Sequence, residues 1–311
     1  MASHARDEKL DLERVRAEEE LKPSEEKLFN ILHDLLQPGP IIEAADAAAK
    51  INNLFPLNEE DSEAPVDEND PAADPEAFLW SLWGLIIQVM RLVPPQHPGQ
   101  IRMISFLQAL GKIQTRTLDI WGVSEDLSGS WNFGSSQGQQ SEQKLWSDFP
   151  ILRPCLRDHL EYIGEPDPDG ISEWINQNSF MARIVGQELL SWDTLIIWML
   201  RDALEDDLPQ EQIVRDCYIS VVSEWITHAG QTIYRQLSDK ELSEQQKRVT
   251  RGGKLYHGKA GLCAERWEFW KQRVGEISTL VSTELQPVAL DAAQRMGEIE
   301  ELARIAEEMR G

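Results

Sequence analysis

The stretch FLWSLWGLIIQVMRLV, residues 78–93, is apolar except at Ser81, Gly84, Gln88 and Arg91. As a helix it rises about 24 Å, short of the roughly 30 Å hydrocarbon core of a bilayer, and Arg91 falls inside it. A helix apolar on every side belongs in a protein core, with amphipathic helices gathered around it. The stretch therefore predicts an all-α protein built around this helix.

Outward from it, proline and glycine punctuate helical spacing in both directions. Pro94-Pro95 and Pro98-Gly99 close the central helix and open another over 100–113. Further helices are expected over 151–163, 171–190, 193–206, 210–237, 260–283 and 287–310. Cys263, Trp267, Trp270, Val274, Ile277 and Val281 step by four and three into one apolar seam; Val214, Cys217, Val221, Trp225 and Ala229 form a second. Residues 122–144, rich in Gly, Ser and Gln, read as a long polar loop. Toward the N-terminus, Glu8–Leu21 reads as a charged helix. Ser24 is a suitable N-cap for a helix carrying Leu28, Leu32 and Leu35, and Ile41–Phe55 as a further helix. The expectation is one irregular bundle of about eight to ten helices. Residues 1–55 form an N-terminal helical extension, 56–74 an acidic disordered linker, 75–285 a main domain that folds without what precedes it, and 286–311 a C-terminal amphipathic helix packed on or beside it.

Charge restricts the partners. The chain carries a formal net charge of −24, a field that repels nucleic-acid phosphates and anionic lipid. Residues 56–74 hold eight acids, three prolines and no base, so they cannot bury enough apolar surface to order themselves. Cys155, Cys217 and Cys263 match no metal or redox spacing and read as small buried hydrophobes. Their odd number and the absence of an apolar leader in Met1–Leu10 predict a cytoplasmic or nuclear protein.

Several short patterns resemble chemistry without its context. Gly134-Ser135-Ser136-Gln137-Gly138 has the nucleophile-elbow letters but no buried strand ahead of it. Gly253-Lys254-Leu255-Tyr256-His257-Gly258-Lys259-Ala260 departs from a P-loop at Ala260, where a magnesium-binding hydroxyl belongs. Its glycines ahead of a helix remain able to offer backbone N–H groups to an anion. His4, His33, His97, His159, His228 and His257 form no metal-ligand pattern and read as surface or helix-end residues. Asp167-Pro168-Asp169-Gly170 reads as a turn capping the next helix.

Two sets of residues are left as candidates. Trp174, Asn178, Arg201, Trp267 and Trp270 are candidate pocket residues, against the plainer reading that the tryptophans are core and Asn178 a buried structural amide. Arg201 and Glu205 are spaced to pair on one helix. Residues 247–273 hold eight bases and only Glu265 and Glu268 as acids, so Arg251, Lys254, His257, Lys259 and Arg266 form a candidate surface for an anion or partner. The plainer reading is that these bases pair with acids on neighbouring helices.

Gly253-Lys-Leu-Tyr-His-Gly258-Lys-Ala-Gly261 followed by Glu265-Arg266-Trp267-Glu-Phe269-Trp270-Lys271 resembles a signature of the fungal family known as domain of unknown function 3632. Trp121-Gly122, Leu145-Trp146-Ser-Asp-Phe-Pro150, Leu152 to Arg157-Asp158, Trp174 to Arg183 and Trp198 to Glu205 are similar to it in the same order. A tryptophan of the pattern near Leu255-Tyr256 is replaced here. The resemblance covers roughly residues 78–280 and implies a fungal, soluble, helical protein. It brings no catalytic residue to carry over, and some relatives lie beside genes of specialised metabolism.

The residues assign no catalytic group, metal set or cofactor. The expected function is a non-enzymatic protein-binding or scaffold protein with a protein partner or an anionic small molecule, and no nucleic acid or membrane. Its rivals are a helical enzyme or small-molecule carrier with an aromatic pocket, and a transcription-associated regulator acting through its acidic arm.

Overall fold

A computed structural model of the protein describes residues 7–39, 41–56, 74–114, 116–120, 141–160 and 167–310. Among them are twelve helices and one two-stranded ribbon, so the fold is all-α as the spacing predicts. The helix count exceeds the expected eight to ten; the six-residue α10 (Glu244–Val249) is not among the expected helices, and the helix expected over Glu8–Leu21 is only the six-residue α1 (Glu13–Glu18). Most of the acidic linker, the stretch 121–140 and Gly134–Gly138 lie outside the described residues. The helices gather into two compact units, one ending at residue 164 and the other running from 165 onward.

The first unit is organised by α4 (Pro75–Arg91), which Asp74 caps by accepting the Ala77 N–H at 2.8 Å. Phe78, Leu82, Trp83, Ile86, Ile87, Val89 and Met90 are buried around its circumference. Its covering comes from α2 (Pro23–Leu36) and α6 (Leu152–Asp158), while α3 (Ala44–Leu54) packs on α5 (Gly99–Gly111). The described residues from 7 to 55 pack into the core of this unit. Leu12, Leu28, Phe29, Leu32 and Ile51 are within 1% of full burial, and Gln37 pins the chain at Leu10 through two buried hydrogen bonds of 2.8 and 3.1 Å. Dense charge hides this packing, because an amphipathic helix needs only one apolar stripe to dock. Pro23 opens α2, and Glu25 accepts the Lys22 N–H at 2.9 Å, so the cap falls two residues ahead of Ser24.

Aromatic side chains seat the segment before α6. Trp146 meets Phe55 and Trp83 edge-on at 5.5 and 6.5 Å, and Trp83 donates to the Pro150 carbonyl at 2.7 Å. Phe149 and Ile151 adopt φ of 46° and 68° with both side chains buried. A β-branched residue there is strained by about 1–2 kcal/mol, which the surrounding packing offsets. Ser141–Lys144, expected within a loop, is strand β2 and pairs antiparallel with β1 (Thr117–Ile120), Thr117 opposite Lys144. Four polar residues are too few to display a period of two.

In the second unit, α9 (Gln212–Gln236) is the axis. Against it pack α7 (Pro168–Gly186), α8 (Asp193–Leu204), α11 (Ala264–Ile277) and α12 (Gln286–Glu308). The α11 seam is buried from Cys263 to Val281, and the α9 seam from Cys217 to Ala229, with Val214 half-buried at its start. Asp167 caps α7, its carboxylate accepting the N–H groups of Asp169 and Gly170 at 3.0 and 2.9 Å. The helix α10, missed in the periodicity, carries a capping box in which Ser243 and Gln246 bond each other's backbone.

Candidate functional site

The loop 250–263, between α10 and α11, is held from below by one ion pair. Arg266 and Glu205 are both fully buried, and the guanidinium Nε and Nη2 donate to the two carboxylate oxygens at 2.6 and 2.9 Å. The other donors of Arg266 reach three loop carbonyls: Thr250 at 2.7 Å, Gly261 at 3.0 Å and Arg251 at 3.1 Å. All five guanidinium N–H groups are thus used. Glu205 further accepts from the Trp270 indole at 2.6 Å and the Gly253 backbone at 2.9 Å, so its four acceptor sites are filled too. The Tyr256 and Trp270 rings lie 5.0 and 5.7 Å from the guanidinium carbon, within cation–π range.

The P-loop-like letters of this segment serve the chain's own anions. The backbone N–H groups of Gly253, Lys254 and Lys259 are taken by the carboxylates of Glu205, Asp206 and Glu265 at 2.9, 3.0 and 3.2 Å. A Cβ at Gly253 would lie 2.6 Å from the Glu205 carbonyl oxygen, and one at Gly258 2.6 Å from Glu265. These glycines are small because the protein itself fills the space, which overturns the expectation that they leave the backbone open to an anion.

The predicted surface set is consequently split. Arg266 is part of the core and leaves the surface set. Lys254 and Lys259 are exposed and pair with Asp207 and Asp239, each at 3.1 Å. Arg251 and His257 are exposed, and their side chains have no hydrogen-bond or ion-pair partner among the described residues. Sequence reasoning missed Glu205 as the partner of Arg266. The available signal was Arg266 itself, three residues from Cys263 and four from Trp270, a base on an apolar seam that needs a buried acid.

The five candidate pocket residues share no site. Asn178 is fully buried, donating to the Trp174 carbonyl at 2.9 Å and accepting from the Trp225 indole at 3.0 Å, which is the structural amide. Trp267 donates to Glu300 at 2.8 Å and Trp270 to Glu205. Arg201 lies 3.6 Å from Asp202 instead of pairing with Glu205, whose side chain turns inward. Trp174, Trp198 and Trp80 are half-buried, whereas Trp83, Trp225, Trp267 and Trp270 are core.

Between α7 and α9 runs a polar chain that no sequence pattern announced. Ser179 donates to Glu224 at 2.6 Å, His228 Nε2 lies 3.2 Å from the same carboxylate, and Arg183 meets His228 Nδ1 at 2.8 Å. Because a guanidinium only donates, Nδ1 is the acceptor and the hydrogen sits on Nε2. The residue types are those of a hydrolytic triad, but Ser179 donates to the carboxylate, not to the histidine, and is fully buried. The chain ties two helices together.

Burial pushes the Glu224 carboxyl up, but the bonds from His228 and Ser179 and the Arg183 charge outweigh it, so it titrates below its ordinary 4.5. A carboxylate depressed by folding adds stability above its unfolded value, and that share is lost as pH falls through the folded one. Glu224→Gln should therefore be less stable than wild type at pH 7, with the gap closing in acid below pH 4.5. Urea denaturation of both proteins across that range checks it; a gap independent of pH would remove the assignment.

In the first unit, a cleft of about 130 Å³ is lined by residues including Glu19, Glu25, Ser81, Gln88 and His159. Ser81 donates to Glu25 at 2.8 Å and Gln88 to Glu19 at 3.2 Å, so its polar groups satisfy one another. Its volume is well below the roughly 300 Å³ at which small-molecule sites begin. All three cysteines are free and buried, and burial holds the Cys217 thiol up at about 12, out of reach of thiolate chemistry. His97 is buried at the start of α5, between the Glu8 carbonyl at 2.9 Å and the Gly99 N–H at 3.0 Å.

Among the described residues, no three His, Cys, Asp or Glu side chains are grouped to hold a metal ion, and no helix is long and apolar enough to cross a membrane. No curated protein and no solved structure matches the chain. Residues 83–274, from within α4 to within α11 and including both Glu205 and Arg266, match the family described as protein of unknown function (DUF3632), and the chain belongs to that family.

Proposed function

We propose that this is a non-enzymatic protein-binding or scaffold protein of the fungal cytoplasm or nucleus, meeting its partner with the outer face of the loop 250–261. The carrying observation is the Glu205–Arg266 pair, whose whole hydrogen-bonding capacity goes into fixing that loop. A catalytic acid or base needs an unfilled position for the substrate, and this carboxylate has none. What the pair supports is a rigid display: Arg251, Lys254, Leu255, His257 and Lys259 are exposed on the held loop. A surface fixed before binding loses less conformational entropy on association. Three free buried thiols fit a reducing compartment.

A photo-cross-linking residue in place of Leu255, with the same residue at Ile101 of the first unit as control, tests this in extract of the source organism. A protein captured from position 255 and not from 101 should, once purified, bind the wild-type chain and bind Leu255→Ser several-fold more weakly. Capture from both positions alike, or from neither, would sink the reading.

A further inference from the structure

The partner's chemistry follows from the charge of the same loop, on the reading just proposed. Arg248 at the end of α10 and Arg251 and His257 in the loop are exposed, and their side chains have no polar partner among the described residues. Lys254 and Lys259 are 73% and 68% exposed, and their carboxylate partners Asp207 and Asp239 are 69% and 76% exposed. Ion pairs this exposed contribute little and exchange readily, so another carboxylate can replace either partner. Leu255, 37% exposed between these bases, adds an apolar contact. The loop cannot collapse onto its own charges, because Glu205, Asp206 and Glu265 already hold its backbone.

We infer that Arg248, Arg251, Lys254, His257 and Lys259 form a docking face for an acidic segment of a partner protein, with Leu255 as its apolar contact. The net charge of −24 decides against the other polyanions. A nucleic acid or an anionic membrane meets the field of the whole protein over a long extent, whereas a short peptide meets Arg248 and Arg251, unpaired among the described residues, at contact distance, inside a Debye length of about 8–10 Å.

Fluorescence anisotropy with a short labelled peptide, rich in glutamate with one central leucine, tests this on the full chain. Its glutamine counterpart, a single-stranded oligonucleotide and phosphatidylserine vesicles serve as comparisons. The expected result is saturable binding of the glutamate peptide alone, weakened by salt, and reduced about tenfold in Arg248→Glu/Arg251→Glu. Lys112→Glu in the first unit should stay within about twofold, since it changes net charge without touching the patch. Should the reversal disturb folding, Arg248→Gln/Arg251→Gln is expected to lose binding in the same direction at unchanged melting temperature. Equal losses in Lys112→Glu, no response to either arginine variant, or tighter binding of oligonucleotide or vesicles would overturn the inference. If the peptide fails while cross-linking at position 255 still captures a protein, only the acidic class falls; failure of both removes the binding reading as well.

Discussion

Replacing Arg266 by methionine is expected to destabilise the second unit by about 3–5 kcal/mol, the range for breaking a buried ion pair from one side. Both side chains are fully buried, so solvent does not screen the loss. The variant strands the Glu205 carboxylate with only the Trp270 and Gly253 donors, and it leaves the carbonyls of Thr250, Arg251 and Gly261 without their guanidinium partners. In a domain of this size the melting temperature should fall by about 10 °C or more. Arg266→Lys should recover little, because an ammonium cannot reproduce a planar fork that serves five acceptors. Removing both charges, in Glu205→Leu/Arg266→Met, should recover part of the loss, since the desolvated carboxylate is gone while the loop carbonyls and the Trp270 and Gly253 N–H groups stay unmet. Denaturant melts of wild type, Glu205→Leu, Arg266→Met and the double variant give the cycle directly. A single-variant loss under about 1 kcal/mol would show that water reaches the pair and that the loop is not held by it.

What was legible in the sequence was local. The run at 78–93 and the four-three stepping of the α11 seam announce helices and their buried faces, because a helix writes its packing face at a period of 3.6 residues. The Glu205–Arg266 pair spans 61 residues and writes nothing at any period. Glu205 sits four residues after Arg201, and local spacing alone favours that pairing over the true one. The glycines of 252–261 failed differently. Their smallness was visible, but the occupant of the space was not, and a ligand's phosphate and the protein's own carboxylates make the same demand of a backbone. Packing of α1 to α3 onto the first unit's core was obscured by charge, as Asp7, Glu8, Asp11, Glu13 and Glu18 are exposed around the buried Leu10, Leu12 and Val15. Phe149 and Ile151, two of the positive-φ residues, are buried, Phe149 against the Trp83 ring at 5.9 Å, and contradict their own local preference.

The glycines also give a prediction of opposite signs within one unit. Gly186 ends α7 where it crosses α9, and a Cβ there would lie 1.8 Å from the His228 carbonyl oxygen and 2.7 Å from its carbon. Those are backbone atoms inside a helix, so no rotamer change can relieve the clash. The crossing is further tied by Thr232, which donates to the Gly186 carbonyl at 3.3 Å, and by the Ser179–Glu224–His228–Arg183 chain. Alanine favours a helix over glycine by about 1 kcal/mol, but separating two packed helices costs about 1–3 kcal/mol or more. Gly186→Ala is therefore expected to lose about 2–3 kcal/mol, by the upper part of that overpacking range. At Gly297, inside α12, a Cβ meets nothing within 4 Å. There only the helix preference acts, and Gly297→Ala should gain about 0.5–1 kcal/mol. Urea midpoints should move in opposite directions for the two variants. If Gly186→Ala matches wild type, the α7–α9 crossing is wider than 1.8 Å implies and the polar chain beside it does not set the helix spacing.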